Sequence, residues 1–316
     1  MTLGVAGLAT LALSGPAVTS SIKSQAAPPP ASAVSPQRLP GPLYGVTVDG
    51  IDNLGQVLDA LRAMPQRPTT RIVFDRQQSP GYYASAVGAM HPVSYVMGEL
   101  LDSSDASRVS TTALRRRVDA YLAALGGRID VWEIGNEVNG NWLGPYPEVE
   151  AKLVTAYDAV SAARRRTALT LYYNVGCGDG ASELDPLSFS RRFVPARVRD
   201  GLNFVLLSYY EQNCRGLRPS ASAWTSYFAA LHRLYPNARL GFGEVGLTEP
   251  ARWSTLGYAE GMIRYYYGLA IRLPYYVGGY FWWYCDEDCV PYRSAPLFAA
   301  VRRALRSEAA TLRPER

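Results

Sequence analysis

The chain reads as an α/β protein folded into a closed (β/α)8 barrel of the TIM type, and three observations predict it. Eight short apolar runs alternate in order with eight helix-like runs. The apolar runs are near-continuous rather than alternating, as expected of a parallel sheet covered on its outer face by helices. The eight units fill roughly 270 residues, which suits one closed barrel better than an open doubly wound sheet.

Taken in order, the first strand is expected at Leu43 to Val48 with its helix at Asn53 to Arg62. The second pair falls at Arg71 to Phe74 and around Ala84 to Ala89, the third at Val93 to Met97 and Thr111 to Leu125. Ile129 to Ile134 precedes Val149 to Arg165, and Leu169 to Tyr173 precedes Ser188 to Arg199. The sixth pair is Phe204 to Ser208 with Ser220 to Tyr235. Arg239 to Phe242 with Leu256 to Arg272, and Val277 to Trp282 with Ala295 to Ser307, complete the eight. After the first strand, Gly45 to Gly50 lacks the glycine spacing of a phosphate-binding turn, which removes the main support for a nucleotide-binding sheet.

With 316 residues, 48% of them hydrophobic and 19% charged, the chain can bury a sizeable core. Its formal charge of +5 comes from arginine, since Lys23 and Lys152 are the only lysines. The arginines fall in helix-like runs such as Leu114 to Val118 and Ala162 to Arg166, which reads as solvated helix faces. No basic run is interleaved with aromatics, so nucleic acid is not an expected partner. The stretch Leu3 to Leu13 is apolar, too short to span a bilayer, and resembles a secretory signal core without a basic residue before it. Residues 1 to 25 are therefore expected to be a signal or membrane-proximal segment, 26 to 42 an Ala, Pro and Ser-rich linker, and 43 to 316 the catalytic domain. That organisation implies a secreted or periplasmic protein with no stable membrane span in its mature form. The oligomeric state is open.

The four cysteines all follow strand-like runs in the second half, and an even count with export signals favours disulfides. Cys177 with Cys214 and Cys285 with Cys289 is the preferred pairing, because the first two end neighbouring strands and the last two share a loop. The two histidines, His91 and His232, are not at ligand spacing to any cysteine, so no metal is expected.

The chemistry concentrates at Glu137 and Glu244, each at the downstream end of an apolar run. A carboxylate where a buried strand surfaces has a desolvation cost, and two of them suggest an acid/base and nucleophile pair. In a barrel, both would stand at the C-terminal ends of their strands, the fourth and the seventh, where barrel active sites are built. The bland alternative for each is a rim ion pair with an arginine.

Trp132-Glu-Ile-Gly-Asn-Glu137 resembles the strand-four signature of the retaining glycoside hydrolases of clan A, and Gly241-Phe-Gly-Glu244 is similar to that clan's strand-seven motif. The resemblance implies Glu137 as acid/base and Glu244 as nucleophile, with no cofactor and a carbohydrate substrate. Such double displacement calls for carboxyls about 5 to 5.5 Å apart and pKa values pushed apart by their surroundings. Asn136 would donate to a sugar 2-hydroxyl. Ser208-Tyr209-Tyr210-Glu211 looks like the clan's His-x-Tyr segment, with Ser208 in place of the histidine and Tyr210 facing the axis by strand alternation. Trp282 and Trp283 point opposite ways, so one belongs to the sugar subsite and the other to the core. Arg71 is similar to the clan's strand-two arginine, which keeps the nucleophile ionised; at the barrel bottom it would be structural instead. Trp142, Asn174 and Glu99 are further candidates for substrate contact, and Asp102 reads as a helix cap. A catalytically silent carbohydrate-binding barrel and a metal-dependent hydrolase on the same fold are the alternatives.

Overall fold

The computed structural model describes residues 42–177 and 183–311. The expectations for residues 1 to 25, and for all of 26 to 42 except Pro42, lie outside the described residues. Eight strands close into one all-parallel barrel: β1 (Leu43–Val48), β2 (Thr69–Val73), β3 (Tyr95–Glu99), β4 (Val131–Glu133), β5 (Thr167–Tyr172), β6 (Phe204–Tyr209), β7 (Arg239–Val245) and β8 (Gly278–Trp282). Each pairs with the next in sequence, and β8 closes on β1.

The helices between them are α1 (Leu54–Ala63), α2 (Pro80–Met90), α3 (Thr111–Leu125), α4 (Tyr146–Ala162), α5 (Pro186–Phe193), α6 (Ala196–Gly201), α7 (Ala221–His232), α8 (Leu256–Tyr266), the short α9 (Cys285–Asp288) and α10 (Pro296–Thr311). The single helix expected over Ser188 to Arg199 is two, because Pro195 cannot continue the α5 ladder and holds Val194 in extended geometry. Among the described residues no helix is long and apolar enough to cross a membrane.

Strand alternation sorts the side chains into two cores. Ile72, Trp132, Leu169, Val205, Tyr209 and Phe242 face the helices. Leu43, Met97, Val131, Ala168, Leu206 and Phe281, from six different strands, form a separate apolar plug inside the barrel. Climbing two residues from this plug, the inward positions turn polar: Met97 gives way to Glu99, Val131 to Glu133, Ala168 to Thr170 and Leu206 to Ser208, all fully buried. Buried polar groups must find partners. Thr170 and Arg71 donate to Glu133, Ser208 donates to Glu137 above, and Glu99 lies against the Arg71 guanidinium, so this layer becomes the floor of the site.

A bulge supplies the last inward group. Leu207 pairs with Phe242, but the next pair is Ser208 with Glu244, so Gly243 is the extra residue in β7. Phe242 faces the helices, stacking edge-on with Trp224, and plain alternation would send Glu244 the same way. The bulge turns it inward instead. Only glycine fits there, since a Cβ on Gly243 would lie 2.8 Å from both Leu206 Cβ and Thr170 Oγ1.

Cys177 and Cys214 form a disulfide joining the loops after β5 and β6. The expected Cys285–Cys289 pair is corrected: both are buried free thiols on one helical turn, with the Cys289 N–H donating to the Cys285 carbonyl at 3.1 Å. Residues four apart on a helix keep their Cβ atoms about 5–6 Å apart, beyond the roughly 3.5–4.5 Å a disulfide needs.

Candidate active site

Arg71 anchors the site from the inner face of β2 and is completely buried. Its Nε and one terminal nitrogen meet both oxygens of Glu133 at 2.6 and 3.2 Å. The guanidinium also lies 3.0 Å from Glu99 and 2.8 Å from Glu244. One cation thus faces three carboxyls. Burial pushes Glu99 well above the usual carboxylate range, Glu133 and Asp102 add to the push, and Arg71 opposes it. Thr170 donates to Glu133 at 2.5 Å.

Above this layer stand Glu137 and Glu244. Glu137 follows β4 with φ at 48°, a left-handed conformation that disfavours any side chain beyond glycine and costs roughly 1–3 kcal/mol. Its two oxygens accept from the hydroxyls of Ser208 at 2.5 Å and Ser103 at 2.9 Å. Glu244 is held by three groups: Arg71 and the Asn136 amide at 3.3 Å on Oε2, and the Tyr210 hydroxyl at 2.5 Å on Oε1. Asn136 is fixed in turn by the Ser103 N–H, which donates to its Oδ1 at 3.1 Å. Burial raises both carboxyls, Glu244 to about 8, where the charge of Glu137 adds to the rise. Burial and the charge of Glu244 keep Tyr210 a neutral phenol.

The pair opens into a cleft of about 540 Å³ bounded by Asn141, Trp142, Tyr172, Asn213 and Trp283. Trp283 lies over the Arg71 guanidinium at 5.2 Å. Trp142, 39% exposed, meets Tyr172 edge-on at the rim.

Of the expected residues, Glu137, Glu244, Asn136, Tyr210, Arg71, Trp283 and Trp142 therefore converge. Tyr209 faces the helices and donates to the Leu217 carbonyl, as alternation requires. Three expected substrate contacts are corrected. Trp282 is fully buried on the helix side, its indole N–H donating to Asp288 at 2.8 Å. Glu99 is sealed behind Arg71 and can act only through it. Asn174 is buried and donates to the Leu184 carbonyl at 3.3 Å, outside the cleft lining. Asp102 caps the turn Ser103–Arg108, accepting from the Ser104 N–H. Sequence reasoning missed Glu133, Ser103 and Thr170. Glu133 had a signal, a carboxylate inside an apolar run four residues before Glu137; Ser103 and Thr170 had none.

Among the described residues no group of three or more His, Cys, Asp or Glu side chains is arranged to hold a metal ion. No protein-family model and no curated protein matches the chain. Solved structures do match, at the level of the fold. A GH10 xylanase from Bispora sp. MEY-1, solved with xylobiose, superposes with a TM-score of 0.57 at 13% identity, covering 84% of this chain and 96% of its own. An apo β-glucosidase gives 0.56 at 12% identity, over 83% and 89%. A glycoside hydrolase family 5 enzyme from Prevotella bryantii B14, in complex with a xyloglucan tetradecasaccharide, gives 0.52 at 13% identity, over 81% and 87%. The chain shares its (β/α)8 barrel with these glycoside hydrolases.

Proposed function

We propose that the protein is a retaining glycoside hydrolase acting on an oligosaccharide or polysaccharide, with Glu137 as acid/base and Glu244 as nucleophile. The observation that carries this reading is the asymmetry of donors around the two carboxyls. The charge of Glu137 raises Glu244, so the two buried carboxyls titrate together as a pair. Arginine and amide nitrogens only donate, so Glu244 Oε2, facing Arg71 and Asn136, has no room for a proton. Serine hydroxyls donate or accept, so Glu137 is satisfied in either state by Ser103 and Ser208. A cation and an amide on Glu244 therefore favour the charge there and the proton on Glu137, against the burial that raises Glu244.

That distribution is the one double displacement needs. A Glu244 oxygen attacks the anomeric carbon, the glycosidic C–O bond breaks, and the departing oxygen takes the Glu137 proton. Glu137, now a carboxylate, removes a proton from water, whose oxygen displaces Glu244 and leaves the hemiacetal. Trp283 offers an apolar face to the ring, and Arg71 and Tyr210 hold the nucleophile in place. The Cys177–Cys214 disulfide supports an oxidising compartment, in keeping with export.

The test is trapping with a panel of activated 2-fluoro-glycosides followed by peptide mass mapping. Label on Glu244 is expected; label on another residue, or none with any sugar, sinks the assignment.

A further inference from the structure

The cleft holding the carboxyls lies over β4 to β7, and its boundary on the β8 side is Trp283. Trp283 is also the edge of a second cavity, about 300 Å³, built over β1, β2 and β3 by residues that include Asp49, Asp75, Asp102 and Tyr284. Both volumes reach the roughly 300–1,000 Å³ range of ligand sites. We propose that this second cavity binds a further sugar unit on the glycone side, so that a polysaccharide chain crosses the whole barrel mouth and is cut internally. The inference rests on the glycosidase reading.

Direction follows from the proton donor. A leaving group departs beside Glu137, toward Trp142 and Tyr172, so the retained part of the chain runs the other way, past Trp283. An enzyme that trims chain ends needs a closed wall there, whereas on the far side of Trp283 this barrel mouth holds a second cavity. The lining suits a sugar ring. Tyr284 stands edge-on to Trp283 with centroids 6.1 Å apart, a second aromatic surface beyond the first. Asp49 and Asp102 provide acceptors for ring hydroxyls, and the cavity's one cation, Arg76, is tied to Asp105 at 3.0 Å. A wall with this charge selects rings without a carboxylate of their own, and repels uronic acids.

The experiment compares kcat/KM on gluco-, xylo- and manno-oligosaccharides of two to six units with the 4-nitrophenyl monoglycosides of the same sugars. With a stacked ring and one or two added hydrogen bonds, the wild type should gain roughly tenfold or more from disaccharide to tetrasaccharide on its preferred sugar. Tyr284→Ala and Asp49→Asn should each remove most of that gain while leaving monoglycoside turnover unchanged, which also shows that the variants fold. A flat chain-length dependence, a gain that survives both substitutions, or release of single sugars alone from long chains overturns the proposal. If monoglycosides are turned over without any chain-length gain, only the second subsite falls; if the wild type turns over nothing, the glycosidase reading falls first.

Discussion

Replacing Tyr210 by phenylalanine removes one oxygen from the site and distinguishes which carboxyl carries the charge. The hydroxyl donates to Glu244 Oε1 at 2.5 Å in a buried setting. A hydrogen bond to a charged group is worth about 1.5–3 kcal/mol, and one pKa unit corresponds to about 1.36 kcal/mol, so the loss is worth roughly one to two units. Arg71 and Asn136 stay on Oε2, which favours the lower end. The active form holds one proton on the pair, and activity falls when a second is added or the last is lost. With the charge on Glu244, the lost hydrogen bond weakens the one-proton form against the two-proton form. The acidic limb of kcat/KM then moves up by about one unit. The alkaline limb stays, because Glu244 is ionised on both sides of it. The assay is the pH dependence of kcat/KM on a hydrolysable glycoside for wild type and Tyr210→Phe. If the alkaline limb rises while the acidic limb stays fixed, the charge sits on Glu137 and the roles are reversed.

Three further outcomes are expected. Glu137→Ala should slow substrates with poor leaving groups by roughly 10²–10⁴-fold and activated aryl glycosides far less; equal losses on both would argue against an acid role. The Cys177–Cys214 bridge spans 37 residues, and loop-closure entropy then gives about 4 kcal/mol. Reduction should therefore lower Tm by several degrees in calorimetry, and an unchanged Tm would show that the bridge does not stabilise the barrel. Glu308 on α10 is buried, neither carboxyl oxygen has a partner among the described residues, and burial raises its pKa well above 4.5. Its stabilising contribution is complete below the unfolded value and is lost as pH rises toward the folded one. Glu308→Gln should match wild type near pH 4 and exceed it in denaturant melts at pH 8; identical curves at both would refute this.

The barrel was legible in the sequence because its strands are simple: each is a short apolar run, and all eight lie within a few residues of their expected positions. Alternation alone also separated Tyr210 from Tyr209, since β6 stays regular up to that point. The same rule left Trp282 and Trp283 undecided. Near them β8 has left-handed residues at Tyr280 and Phe281 and a register shift against β1, and nothing local announces either.

The inward placement of Glu244 rests on a feature that strand periodicity alone does not supply. Two-residue periodicity from Phe242 would put its carboxyl among the helices, and only the bulge at Gly243 brings it inside. The glycine is visible in the sequence, but its necessity is not, because the atoms that exclude a side chain belong to Leu206 and Thr170 on other strands. The same holds for the polar layer below. Arg71, Glu99, Glu133 and Thr170 each look like an isolated polar residue in an apolar strand, an unfavourable placement on its own. They become tenable only as a set, with Arg71 facing both Glu99 and Glu133 and Thr170 donating to Glu133. A buried polar residue in a strand of this kind is therefore better read as half of a pair whose partner lies on a distant strand. By that logic Glu133 points to Arg71, and Arg71 to Glu244.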